Sequence, residues 1–249
     1  MIVAMLGLSA SVGALAVPVA PFNPAAPSVI NPAPGGELNL QTIADTFFGA
    51  GHINVNTGQS AAAQFSSTTP NASSTIPTLI AEYTANATTQ IFGIWFGNDT
   101  SHIYTVDLLL GGATATTQDN AALSIVGNTL NVGSSIIANC GPKVNCGSFT
   151  DSAINSSLFG FYFKPAPAGP TYYSADQLNP AGRQDRVVAF QDGASTNWLF
   201  AYEDGTDFDY NDMAVKVESI NAVPEPETYA LMLAGLGAMG FMARRRKSR

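Results

Sequence analysis

Five acidic residues crowd into ten positions near the end of the chain: Glu203, Asp204, Asp207, Asp209 and Asp212. Carboxylates this close repel one another unless a cation or several N–H donors neutralise them. A hard divalent cation that takes six to eight oxygens, as calcium does, is the natural counter-charge. Asp207, Asp209 and Asn211 alternate, so an extended chain would aim all three side-chain oxygens to one side. These residue types point to metal binding.

The spacing is similar to the first half of an EF-hand loop, and Glu218 falls where that loop has its last ligand. Two features argue against a true EF-hand. Asp212 stands where such a loop needs Gly, and Met213–Val217 alternates as a strand instead of opening a helix. The expectation is a β-hairpin in which Glu203, Asp204, Asp207, Asp209, Asn211 and Asp212 coordinate calcium in another geometry. The competing expectation is a solvated turn, with Asp207 and Asn211 as turn formers and Asp212 bonded to backbone.

Other chemistry finds little support. There is no Gly-x-Ser-x-Gly elbow, no Gly-rich phosphate loop and no His-Glu-x-x-His. His52 and His102 each border a strand-like run and are expected to bond locally. Glu203 with Asp207 is the nearest approach to a glycosidase pair, but carboxylates on one turn more often hold a metal or water. The chain is expected not to be an enzyme. Five of its ten basic residues (Arg244, Arg245, Arg246, Lys247, Arg249) end the sequence, which leaves a body of five basic against eighteen acidic residues, net −13. Such a body repels phosphate backbones, so nucleic acid is an unsuitable partner.

Strands must hold the acidic cluster. Trp198, Phe200 and Tyr202 alternate into it, and Met213, Val215 and Val217 alternate out of it, so it sits on a connecting loop. The runs 90–97, 102–110, 157–163 and 186–190 are β-branched or aromatic and bounded by Gly, Asn or Pro. No long apolar stripe of helical period precedes the tail, apart from a short candidate at 81–87. The fold class expected is all-β, a β-sandwich of jelly-roll-like or immunoglobulin-like layout spanning 37–221. Exposed Trp95, Tyr172 or Tyr173 would offer stacking faces to sugar rings, although core packing is the more ordinary use of such rings. Cys140 and Cys146 flank a Gly-Pro turn and suit a disulfide, worth about 2.4 kcal/mol on the chain-entropy model. Two free thiols or half a metal site are the alternatives.

The two ends point to export. Residues 1–20 contain an apolar run closed by Ala14-Leu15-Ala16, the pattern of a signal peptide, although no Lys or Arg precedes it. Residues 21–36 are Pro-rich and expected to be a linker. At the other end, Pro224-Glu225-Pro226 leads into the apolar stretch 229–243 and then a basic cluster. As a helix this stretch spans about 22 Å, short of the ~30 Å hydrocarbon core, with the basic cluster able to anchor it at the cytoplasmic face.

Residues 222–249 resemble the PEP-CTERM sorting signal of Gram-negative bacteria, which has a Pro-Glu-Pro motif, a short membrane helix and an Arg-rich end in this order. The resemblance implies export through the inner membrane and transient anchoring by a C-terminal transmembrane helix. It also implies cleavage by the membrane protease exosortase and a final place at the cell surface or outside it. A second resemblance rests on Tyr172-Tyr173-Ser174, Leu178-Asn179-Pro180 with Gly182, Arg186-Val-Val-Ala-Phe, Phe200-Ala-Tyr-Glu-Asp and Asp209-Tyr-Asn-Asp. Over 157–220 these are similar to DUF4114, a domain of bacterial extracellular proteins. It implies a β-rich extracellular domain. The function expected is a calcium-stabilised structural or adhesive protein associated with exopolysaccharide. A carbohydrate-binding module is the alternative, and a hydrolase the lesser one.

Overall fold

Asn39 opens an α-helix that packs on the sheets: its side chain accepts a hydrogen bond from Thr42 N at 2.8 Å, capping α1 (Leu40–Phe48). Leu40, Ile43 and Ala44 fall on one face and are buried. Their i, i+3, i+4 spacing and the preceding Asn were the readable signals of this helix, which the sequence analysis did not anticipate. The computed structural model describes residues 22, 28–68, 76–81, 89–110, 118–133, 144–180, 186–224, 231–239 and 242.

Fourteen strands follow in chain order among the described residues. They are β1 (Gln59–Ser60), β2 (Phe65–Ser67), β3 (Ile76–Ala81), β4 (Ile91–Phe96), β5 (Tyr104–Leu109), β6 (Gln118–Val126) and β7 (Thr129–Val132). The others are β8 (Gly147–Thr150), β9 (Phe159–Lys164), β10 (Tyr172–Tyr173), β11 (Val187–Gln191), β12 (Trp198–Tyr202), β13 (Met213–Val217) and β14 (Ile220–Ala222). They pair antiparallel into two sheets, ordered β1-β11-β12-β13-β3-β6-β7-β8 and β14-β2-β9-β4-β5, with β10 beside β9. The protein is all-β, as expected. The aromatic runs became β4, β5, β9, β11 and β12. The strands β3, which contains Pro77, and β6, β7 and β8, which mix Asn, Ser and Thr with few aromatics, carried too weak a pattern to be read. Ala81 ends a strand, and the rest of the short helix expected at 81–87 lies outside the described residues.

One face of each sheet closes on the other. Trp198, Phe200 and Tyr202 from β12 and Met213, Val215 and Val217 from β13 share a buried cluster with Phe92, Phe161 and Phe163 from the second sheet. Phe161 and Phe200 meet at 4.9 Å between ring centroids, and Phe163 and Tyr202 at 5.3 Å. Burying each such ring contributes about 1.5–3 kcal/mol relative to exposure. The outer face of the first sheet is covered too: Leu199, Ala201 and Ala214 pack against α1 and Ile53 and Val55. Being covered on both faces explains why β12 is buried at every position.

On the outer face of the second sheet, Trp95 and Tyr162 lie over glycines. The registry pairs Gly93 with Tyr162 and Gly160 with Trp95. A Cβ on Gly93 would stand 2.1 Å from Tyr162 Cζ, and one on Gly160 2.3 Å from Trp95 Nε1, so only Gly fits at either position. Phe22 packs edge-on against Trp95 at 5.4 Å, and Tyr173, Ala175 and Leu178 complete the cover. Trp95 is therefore buried, half-buried Tyr173 leans on Trp95 and Tyr162, and Tyr172 points the other way into the core between the sheets, beside Phe163. The exposed sugar-stacking role considered for these rings is corrected to core packing, because the 172–178 segment folds back over the sheet.

Residues 231–239 are helical and exposed. Among the described residues no helix is long and apolar enough to cross a membrane, so the transmembrane helix expected over 229–243 is not found. The described part of that stretch, 231–239 and 242, is shorter than the roughly 20 residues a span needs. The signal segment 1–20, Glu225, Pro226 and the basic end 243–249 lie outside the described residues. Among the described residues no cysteine is free: Cys146 is disulfide-bonded, and Cys140, the chain's other cysteine, lies outside them.

Candidate functional site

The β12–β13 connection, residues 203–212, carries the acidic cluster. It is held on three sides. Arg186, at the start of β11, donates from Nη1 to Gly205 O, lies over the Phe208 ring at 4.8 Å, and approaches Glu203 Oε1 at 3.8 Å. Gln90, just before β4, donates to Asp204 Oδ2 at 2.8 Å. From the N-terminal side, Asn31 N donates to Phe208 O at 2.9 Å, and the Asn31 side chain donates to Asp207 O. Residues 28–31, expected in a linker, thus lie against the domain; Ser28 and the Gln59 side chain exchange bonds of 2.9 and 2.6 Å.

The loop does not run extended. Phe208 and Tyr210 have φ of 58° and 56°, the left-handed region, which costs about 1–2 kcal/mol for each such residue. Tyr210 is fully buried against α1's cluster, and that anchor fixes the turn. The expectation that alternation alone would line up Asp207, Asp209 and Asn211 is therefore corrected. Asp207 is exposed, while Asp209 and Asn211 are 2% and 4% exposed. Asn211 Nδ2 donates to Asp209 Oδ2 at 2.7 Å and to Leu38 O at 3.1 Å, so its amide nitrogen faces the acidic groups.

The six residues singled out in the sequence separate into two groups. Asp212 Oδ2 accepts from Asp204 N at 2.6 Å, and Asp204 is held by Gln90, so these two carboxylates brace the loop. Glu203 is fully buried; its Oε1 accepts from Gly205 N at 2.6 Å and its Oε2 from Tyr210 N at 3.3 Å. Asp207 and Asp209 turn the other way and meet Glu37. Carboxylate oxygens of Glu37, Asp207 and Asp209 all lie within 4.8 Å of one another. Glu37 is 172 positions before Asp209, and nothing in its local sequence, Gly-Gly-Glu-Leu, marks it as part of a site. Glu218 is ion-paired with Lys216 at 2.8 Å, at the far end of β13, and takes no part.

Electrostatics match a cluster short of counter-charge. Burial pushes the Glu203 and Asp209 carboxyls up, and Asp207 adds to both. Asp212 is pushed up to about 8, chiefly by burial, then by Asp204, Glu203 and Asp209. Arg186 is the only cation that contacts the loop among the described residues. The two histidines sit elsewhere, His52 on Asp192 at 2.9 Å and His102 on Asp151 at 3.0 Å.

Two family models match the chain. Residues 141–220 match the domain of unknown function DUF4114, so that region begins at 141 rather than at 157. It contains β8–β13 and the whole acidic loop, but not Glu37. Residues 222–247 match the PEP-CTERM protein-sorting motif. The chain thus carries a PEP-CTERM sorting motif, which implies export, recognition by an exosortase and sorting through the membrane of a Gram-negative bacterium. Its folded body carries the DUF4114 region. Neither a curated protein nor a solved structure matches it.

Proposed function

We propose that this exported protein is a calcium-stabilised structural or adhesive β-sandwich of the cell surface or extracellular matrix, associated with exopolysaccharide once exosortase has cut its tail. In this reading it is not an enzyme. Glu203, one half of the nearest hydrolase-like pair, is fully buried and committed to two backbone N–H groups.

The observation that carries the reading is the convergence of Glu37, Asp207 and Asp209 within 4.8 Å. Oxygens bound to one calcium at about 2.3–2.6 Å cannot be more than about 5.2 Å apart, so three carboxylates at this spacing fit a single ion. Calcium would also tie the Glu37 segment to the hairpin loop and offset the mutual repulsion that adds to burial in raising the loop's carboxyls.

The test is titration calorimetry of the full chain with calcium, paired with melting curves in calcium and in chelator. At one hundred times Kd, calcium adds about 2.7 kcal/mol, which for a chain of this size is a rise of about 5–10 °C. Asp207→Ala with Asp209→Ala should abolish the rise. An unchanged rise in that variant places the ion elsewhere, and no heat of binding in the parent protein ends the calcium reading.

A further inference from the structure

At the end of the sheets opposite the acidic loop, the β4–β5 connection, the β6–β7 turn and the segment 151–158 enclose a cleft of about 410 Å³. The register shows that the ends are opposite: Gln90, beside Asp204, precedes β4, whereas Phe96 pairs with Phe159 at the other end of that strand. We propose that this cleft is a binding site for a neutral carbohydrate. The proposal stands apart from the calcium reading, because it uses none of the same residues.

Charge selects the ligand class. The cleft is lined by amides, hydroxyls, one imidazole, glycines and a few apolar side chains, with no Lys, Arg, Asp or Glu among them. The nearest carboxylates are committed. Asp151 accepts from Ala153 N at 2.8 Å and pairs with His102, and Asp99 accepts from Ser101 N at 2.7 Å. A phosphate, a carboxylate or an ammonium ligand would be desolvated here with no counter-charge. A polyol suits the lining, because each hydroxyl both donates and accepts.

The walls offer that chemistry in a fixed frame. Asn128 Nδ2 donates to Ser152 O and Ile154 O at 3.1 and 3.2 Å, which ties two walls together and leaves its Oδ1 to accept. Ser156 lines the cleft and is only 5% exposed, so its hydroxyl belongs to the inner part of the wall. Asn98 lines the cleft with an exposed side chain, whose amide can both donate and accept. Buried Gln64 donates to Gly97 O at 3.0 Å and holds that wall from behind. Gly97 has φ of 154°, and a Cβ there would stand 2.7 Å from His102 O, so the wall needs glycine. Ile154 and Leu158 supply an apolar floor for the C–H face of a sugar ring.

The experiment is saturation-transfer NMR followed by calorimetry on the full chain. The probes are neutral di- and tetrasaccharides of glucose, galactose and mannose, with a glucuronate oligosaccharide for contrast. At least one neutral sugar should bind, and Asn98→Ala and Ser156→Ala should each weaken it about three- to tenfold. Melting temperatures should change little, since Asn98 is exposed and Ser156→Ala removes a single hydroxyl. Binding should persist in chelator, which separates this site from the metal reading. No transfer from any neutral sugar, unchanged affinity in both variants, or preference for the glucuronate probe would overturn the proposal.

Discussion

The two ends of the sandwich share one core and differ in every polar feature. At one end, the β12–β13 loop packs carboxylates around Arg186 and pushes three of them above their usual range. At the other, the β4–β5 and β8–β9 connections present uncharged amides and hydroxyls, with each nearby aspartate already bonded. Uncompensated charge makes ions and pH the agents expected to act at the first end. At the second end the lining holds no Lys, Arg, Asp or Glu, and His102 is its one titratable side chain, which suits it to an uncharged ligand. The lesson is that loops on a common scaffold can take opposite electrostatic roles, because the packed sheets between them fix their positions without regard to charge.

The largest effect should come from breaking what the ends share. Phe200→Ala removes a ring that meets Phe65 and Phe161, and should cost about 3–5 kcal/mol in chemical denaturation. Both ends should fail together. Loss of one with retention of the other would mean the ends fold as separate units.

Next comes Glu37→Ala, which removes the one carboxylate of the group that lies outside the hairpin loop. Calorimetry should show calcium affinity reduced at least tenfold, about 1.4 kcal/mol, while melting in chelator changes little. Unchanged affinity would exclude Glu37 as a ligand and leave the hairpin loop to act alone.

A third test uses pH. Glu203, Asp209 and Asp212 bind protons more tightly in the folded than in the unfolded chain. A raised carboxyl gives stability that is present at low pH and lost as pH rises through its folded value, about 8 for Asp212. In chelator, the denaturant midpoint should therefore fall from pH 5 to pH 8, and saturating calcium should flatten that slope. A midpoint that rises over this window would show the acidic loop to be well neutralised already.

The smallest effects set the contrast. Asn39→Ala, which removes the α1 cap beside the acidic end, should cost about 1 kcal/mol. Asn98→Ala at the neutral end should shift stability by less than about 0.5 kcal/mol. A larger shift would mean that the Asn98 side chain holds the fold.

Much of the core was legible from short-range pattern. The alternation of Trp198, Phe200 and Tyr202 and of Met213, Val215 and Val217 put those residues on the inner face, where the structure has them. The Pro-Glu-Pro tail was legible because a sorting signal is read as linear sequence. The acidic loop announced itself by composition alone. The direction of its side chains did not, because buried Tyr210 and the stacking of Arg186 on Phe208 turn the backbone through left-handed conformations.

Local sequence determined the strand character of the aromatic runs, the charge of the acidic loop, and the export motif, since each depends on neighbours a few residues apart. Tertiary structure alone decided that Glu37 joins Asp207 and Asp209, that Asp204 and Asp212 brace the loop instead, and that Trp95 and Tyr172 are covered. It also decided that three separate connections enclose a neutral cleft at the far end. Those outcomes depend on which segments the packing of two sheets brings together, and contacts between residues far apart in the chain leave no periodic trace in a single sequence.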